Sequence, residues 1–227
     1  VIHMIPMDVD EASSVEAGVQ AILDRWGRVD IVVNNAGFGY CGSVEETGID
    51  EAKATFETNV FGPLRVCQAV LPAMRAQRSG LIVNVSSIGG LIGLPFQGLY
   101  SASKFALEGM TEALRMEVQA FGIDVVLIEP GDIRTSFTAN RLRTAAFQSG
   151  SVYGDACEAA LERIEEDEQS GASPDIVAKT LMRILRDPHP KPRYIAGRFY
   201  EKLAVRLKSL LPDSLFERIL KMNYGVE

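Results

Sequence analysis

Tyr100 and Lys104 are spaced i, i+4, so on a helix both side chains project from one face. A phenol beside an ammonium suits proton transfer at an oxygen. Reduction of a carbonyl needs a proton donor beside an incoming hydride, and oxidation of an alcohol needs the reverse. A free tyrosine titrates near ~10, too high for an efficient base at neutral pH. A cation one turn away favours phenolate, and a downward shift of about three units corresponds to roughly 4 kcal/mol. Tyr-x-x-x-Lys arises readily by chance, but only one of the six tyrosines here is followed by a lysine at that spacing.

Two other residues raise the value of the pair. Ser87 ends an apolar run, GLIVNVSS, 13 positions before Tyr100, where a hydroxyl can hydrogen-bond a substrate oxygen as charge develops on it. Asn59 lies in TNVFG within a helical pattern, where asparagine is a poor helix former. The plain alternative for Asn59 is a bend in the helix.

Such side chains need elements to hold them. Three β-branched runs end in polar or Gly/Pro turns: Val29–Gly37, Gly80–Ser87 and Gly122–Gly131. Each is nearly continuous in apolar character, as strands buried on both faces are. A last strand is expected at Pro192–Ala196. Helical periodicity lies between them. Glu11–Trp26 places Val15, Val19, Ile22 and Leu23 on one face, and Ile49–Arg78 runs through an expected bend at Gly62-Pro63. Further helices are read over Tyr100–Phe121 and from Ser173-Pro174-Asp175 to about Arg186. Strands alternating with helices predict an α/β fold: a Rossmann-like, doubly wound parallel sheet with helices on both faces. Chemistry in such sheets gathers beyond the carboxyl ends of the strands, here at NNAG, SS and EPG.

One motif misleads. Gly37–Gly42 (GFGYCG) matches G-x-G-x-x-G after a strand. A pyrophosphate-binding turn also needs a helix opening at the glycines and a second strand ending in an acid about 20 residues on. Glu57 has roughly that spacing but sits in a helical pattern, so the glycines read as a tight loop.

The 227 residues carry 47% apolar side chains and a formal charge of −7, enough for one sizeable core and unsuited to nonspecific nucleic-acid binding. Cys41, Cys67 and Cys157 are odd in number and far apart, and the only histidines are His3 and His189. A disulfide framework and a metal site are therefore not expected, and a reducing, cytoplasmic location fits. No run is long enough to cross a bilayer as a helix.

Taken together, NNAG at Asn34–Gly37, N-x-x-G at Asn59–Gly62, NVSS at Asn84–Ser87, YSASK at Tyr100–Lys104 and PGDIRT at Pro130–Thr135 resemble the single-domain short-chain dehydrogenases/reductases, in order and spacing, over nearly the whole chain. The resemblance implies an NAD- or NADP-dependent oxidoreductase acting on a small-molecule alcohol or ketone. Tyr100 would be the general acid/base. Lys104 would lower its pKa and bind the nicotinamide ribose. Ser87 would orient the substrate oxygen, and Asn59 would hold a water leading to Lys104. Asp8 and Val9 would touch the adenine, and Asn34, Ala36 and Gly37 would form the cofactor floor. Pro130, Gly131 and Ile133 would meet the nicotinamide, and Thr135 the phosphates. The family also implies a homodimer or homotetramer.

The front departs from the pattern. Val1 leads straight into VIHMIPMDVD, which reads as a strand running into a turn, and no T-G-x-x-x-G-x-G turn is found. The expectation is a single domain over 1–227 that lacks its first βαβ unit with the Gly-rich turn. It should expose an edge of the Val29–Gly37 strand and bind cofactor poorly by itself. Residues 136–172 are expected to fold over the substrate, with Glu165–Glu168 as a solvated helix face. Leu91, Ile92, Leu94, Pro95 and Phe96 are candidates for an apolar pocket wall, with ordinary packing the alternative. YSASKFALEG and IEPG are similar to the branch acting on steroids, retinoids and other lipophilic alcohols. The amphipathic segment in 199–227 is expected to pack on the domain or a partner subunit rather than on a membrane. A different class remains open: a non-catalytic remnant or interaction protein without the pyrophosphate site. A sugar-nucleotide epimerase or dehydratase, which shares Tyr-x-x-x-Lys, is disfavoured because it usually needs a larger carboxyl-terminal domain.

Overall fold

Of the three apolar runs, the strands in Gly80–Ser87 and Gly122–Gly131 are buried from two sides, and that in Val29–Gly37 from one. The computed structural model describes residues 1–226. β1 (Ile31–Asn34), β3 (Gly80–Val85), β4 (Ile123–Pro130) and β6 (Arg193–Ala196) make one parallel sheet in the order β1-β3-β4-β6. Two core clusters cover its two faces. Ile82 and Val125 point to a cluster with Val15 and Val19 of α1 (Ala12–Trp26) and Val66, Val70 and Met74 of α3 (Gly62–Gln77). Their strand neighbours Val83 and Val126 point the other way, to Ile184 of α7 (Asp175–Ile184) and Tyr194. The period-two alternation thus becomes the doubly wound arrangement.

α2 (Ile49–Phe56) and α3 are joined without the bend expected at Gly62-Pro63. A π-turn, Glu57–Phe61, carries the irregularity instead and contains Asn59. Proline is tolerated in the first turn of α3, where its missing N–H is not needed. α4 (Gly98–Val118) follows β3, packs on β4 and presents Tyr100 and Lys104.

Val1–Met7 forms no strand, contrary to expectation. A strand needs a neighbouring ladder, and among the described residues none lies beside this segment. Met7 packs on Gly18 of α1 instead, and Val9 on Gly62. β1 is an edge strand whose Ile31 and Val33 are exposed.

The segment 136–172 holds β5 (Leu142–Arg143), α5 (Ala145–Gly150) and α6 (Gly154–Gln169). β5 pairs with β2 (Tyr40–Cys41). The last residues form α8 (Phe199–Leu210) and α9 (Asp213–Asn223). Among the described residues, no helix is long and apolar enough to cross a membrane.

Candidate active site

Three neighbouring strands, β1, β3 and β4, end on the same side of the sheet, and a cavity of about 660 Å³ opens there. Its wall includes Val33 in β1 with Asn35 and Gly37 after it, Ser86 and Ser87 after β3, and Pro130 at the end of β4 with Gly131, Ile133 and Thr135 after it. Tyr100 and Lys104 project into it from α4. Residues more than 90 positions apart in sequence meet because parallel crossovers return each strand to the same edge.

Tyr100 is buried, and its ring lies 5.8 Å, centroid to centroid, from that of Phe137. Lys104 Nζ donates to the Val85 carbonyl at 3.1 Å and lies 5.8 Å from the Tyr100 ring centroid. Ser87 Oγ accepts from the Gly89 amide at 3.0 Å, which fixes its rotamer. Gly37 passes close to this group: a Cβ there would lie 3.1 Å from Asn59 Oδ1 and 3.4 Å from Lys104 Nζ. Gly37 and Gly39 of GFGYCG therefore make room for side chains arriving from α4 and the π-turn, and Gly42 for Thr144 before α5.

Electrostatics differ from the sequence expectation. Burial pushes the Tyr100 phenol up, and the nearby Ser87 hydroxyl offsets only part of this. Burial also holds Lys104 down, to about 8. The lysine is turned toward a carbonyl rather than the phenol oxygen, so desolvation outweighs the attraction between the two. Burial, and then the facing Glu201 carboxylate, raise Asp132 to about 7.

Not every expected residue reaches the cavity wall. Asn34 is turned into the core, donating to Asn84 Oδ1 at 2.8 Å, and Asn35 lines the cavity in its stead. Asn59 is buried among protein partners. Its Oδ1 accepts from the Phe38 amide at 3.0 Å, and its Nδ2 donates to the Phe38 carbonyl at 2.8 Å and to Ser103 Oγ at 3.0 Å. It pins the Gly37–Phe38 backbone to α4. Ala36 is exposed outside the wall. Asp8 is also outside, with its amide bonded to Ser14 Oγ and its Oδ1 accepting from Asp10 N; Val9 packs on Gly62.

Other residues reach the wall unforeseen. Asp167 and Glu168 of the acidic run line the cavity instead of facing solvent. Glu168 pairs with Arg141 and accepts from Thr138 Oγ1, binding α6 to the loop before β5. Of the five apolar candidates after Ser87, Leu94 lines the cavity, while Phe96 packs with Cys41, Cys157 and Leu161. Tyr224, after α9, also lines the wall. Its only sequence signal was the amphipathic pattern of the last helices.

The profile of the short chain dehydrogenase family matches residues 1–146, more than half of the chain. A 3-ketodihydrosphingosine reductase of Bacteroides thetaiotaomicron is 39% identical over 225 residues, covering 99% of this chain and 84% of the relative. The chain belongs to the short-chain dehydrogenase/reductase family. Solved structures agree. A short-chain dehydrogenase from Streptomyces avermitilis shares 31% identity at a TM-score of 0.73, covering 98% of this chain and 80% of the other. A family member from Burkholderia phymatum, solved in complex with NAD, shares 26% identity at a TM-score of 0.78, over 90% and 73%. Oxidoreductase chemistry on a Rossmann-like scaffold is thus the family setting in which this cavity is read.

Proposed function

We propose that the protein reduces a lipophilic ketone to an alcohol with NADH or NADPH, using Tyr100 as the proton donor. The observation that carries this reading is the meeting of Tyr100, Lys104 and Ser87 with the Pro130–Thr135 turn in one cavity. The residues suit a nicotinamide cofactor: Gly37 and Gly131 line the cavity with backbone alone, which lets a flat ring and ribose approach closely, and a Cβ would crowd Asn59 and Lys104 at the first and Glu201 at the second. Lys104 would hold the ribose hydroxyls, and Pro130, Gly131 and Ile133 would flank the nicotinamide, with Thr135 toward the phosphates. A bound reduced cofactor supplies the hydride.

The chain's own part is positioning and proton transfer. Ser87 Oγ–H orients the carbonyl oxygen and stabilises charge growing on it. Tyr100 O–H then donates its proton to that oxygen. Its raised pKa keeps the phenol protonated at neutral pH, the form a proton donor needs. Lys104, with its pKa near 8, lies close enough to restore charge balance as phenolate forms. Leu94, Phe137, Ile164 and Leu181 give the substrate side an apolar wall under residues 136–172, acting as a lid. Similarity to the Bacteroides 3-ketodihydrosphingosine reductase supports a lipophilic ketone.

The test is turnover of NADH and NADPH, supplied in excess to offset the weak binding expected without a Gly-rich turn, with 3-ketodihydrosphingosine and with simple long-chain ketones. Tyr100→Phe should cut turnover by about 10²–10⁴-fold, the usual worth of general acid catalysis, while cofactor affinity stays within about twofold. Full turnover by that variant would refute the role given to Tyr100.

A further inference from the structure

The last two helices contribute to the site as well as covering the domain. Glu201, in the first turn of α8, is 3% exposed. Its Oε1 accepts from the Asp132 amide at 3.1 Å and from Arg198 Nε at 3.2 Å, and its Oε2 accepts from the Arg198 amide. The bond to Arg198 N is a helix-capping contact. The bond to Asp132 is not, because it crosses 69 residues to the turn that follows β4. Gly131 and Gly197 both lie so close to the carboxylate that a Cβ on either would strike it. The Gly131 amide meanwhile donates to the Ala196 carbonyl at 3.2 Å. One buried carboxylate thus ties the ends of β4 and β6 together. Arg198 extends the clamp to the end of α6 by donating to the Ser170 and Asp167 carbonyls. Tyr224, directly after α9, forms part of the cavity wall.

We infer that Glu201 is a positioning residue for the reaction: it holds the Pro130–Ile133 turn where the nicotinamide end of the cofactor must lie. This rests on the cofactor reading above. The turn has few other ties. Its backbone is held by the Gly131–Ala196 bond, by the Asp132 amide on Glu201, and by an exchange with Ala172, whose amide donates to the Asp132 carbonyl and whose carbonyl accepts from Arg134. An anionic acceptor makes stronger bonds to N–H groups than a neutral amide does, so loss of its charge should loosen this turn first.

Glu201→Gln keeps the shape and removes the charge. Affinity for NADH and NADPH should fall by at least about fivefold, a fraction of one charge-assisted hydrogen bond, while affinity for ADP-ribose, or its 2′-phosphate, stays within about twofold. These two nucleotides lack the nicotinamide, so a merely structural defect would weaken both kinds of ligand alike. Equal losses, or no loss, would overturn the proposal. Amide hydrogen exchange at Asp132 is read in parallel on the protein alone, with faster exchange expected in the variant. If the wild type binds none of the nucleotides, the cofactor reading fails by itself, and unchanged exchange at Asp132 is then what overturns the role of Glu201. Should Glu201→Gln not fold, Glu201→Asp keeps the charge but shortens the reach, and the same nicotinamide-confined loss is expected of it.

Discussion

Gly39 lies so close to the Tyr100 ring that a Cβ at this position would stand 2.9 Å from Cδ2 and 3.2 Å from Cγ. The loop after β1 therefore sets where the phenol points. Gly39→Ala should displace the ring, because the tightly packed surroundings leave the methyl group little room. Overpacking of this kind costs about 1–3 kcal/mol, so a Tm drop of several degrees is expected, with a larger effect on turnover. At least a tenfold loss in kcat, about 1.4 kcal/mol of transition-state stabilisation, is expected. Unchanged kcat would show that Tyr100 tolerates the shift.

This contact also marks what could be read from the sequence. β3 and β4 were legible because burial on both faces leaves an uninterrupted apolar run; β1 also falls within its expected segment, although Ile31 and Val33 leave one of its faces exposed. The Tyr100–Lys104 pair was legible because helical spacing is local. GFGYCG showed only that backbone passes closely by something; the partners, Tyr100 and Thr144, arrive from far along the chain. The acidic run looked solvated because helical charge patterns do not reveal which face a lid turns inward, and Glu168 is turned in by Arg141. Asn59 was flagged as a helix irregularity, but its place in a π-turn depends on bonds to Phe38 and Ser103.

Those bonds make Asn59 sensitive to small changes. Its amide both accepts from and donates to the Phe38 backbone. Asn59→Asp keeps the acceptor but turns a carboxylate oxygen toward the Phe38 carbonyl and leaves that carbonyl without its donor. A buried group left unpaired costs about 1–3 kcal/mol, and urea unfolding at pH 7 should show a loss in that range. The loss should shrink in acid, where the aspartate is protonated and can again donate. A loss independent of pH would argue that the Phe38 carbonyl is not the partner that matters.

Lys104 opposes folding at neutral pH. Burial lowers its pKa from 10.5 to about 8, a gap worth about 3 kcal/mol. Below pH 8 the lysine is charged in both states, and the full penalty is present. Between about 8 and 10.5 the folded chain has released a proton that the unfolded chain still binds, so stability rises with pH. Lys104→Met should therefore stabilise the protein at pH 7 by about 2 kcal/mol, after loss of the bond to Val85, while eliminating turnover. The gain should vanish by pH 10.5. Urea titrations at the two pH values measure this, and a gain that persists at the higher pH would count against lysine ionisation as its source.

Glu129 has the opposite dependence. It sits in β4 immediately before Pro130, 1% exposed, and burial, then the facing Glu108 carboxylate, raise its pKa from 4.5 to about 7. Arg193 Nε lies 3.5 Å from Glu129 Oε1 but hydrogen-bonds Glu108 Oε2, at 3.0 Å, and its Nη2 bonds Glu112 Oε2, at 3.0 Å, so one guanidinium is shared by three carboxylates. Between pH 4.5 and about 7 the unfolded chain ionises this glutamate while the folded chain keeps its proton. Stability contributed by the neutral carboxyl is therefore lost as pH rises through that window. Glu129→Gln removes the titration. It should leave stability at pH 4 nearly unchanged and raise it at pH 8 by about 2 kcal/mol, less than the full gap because Arg193 loses one of its partners. Unfolding free energies of both proteins at pH 4 and pH 8 decide the matter: a variant less stable than the wild type at pH 8 would mean that the shared guanidinium outweighs the burial of the second charge.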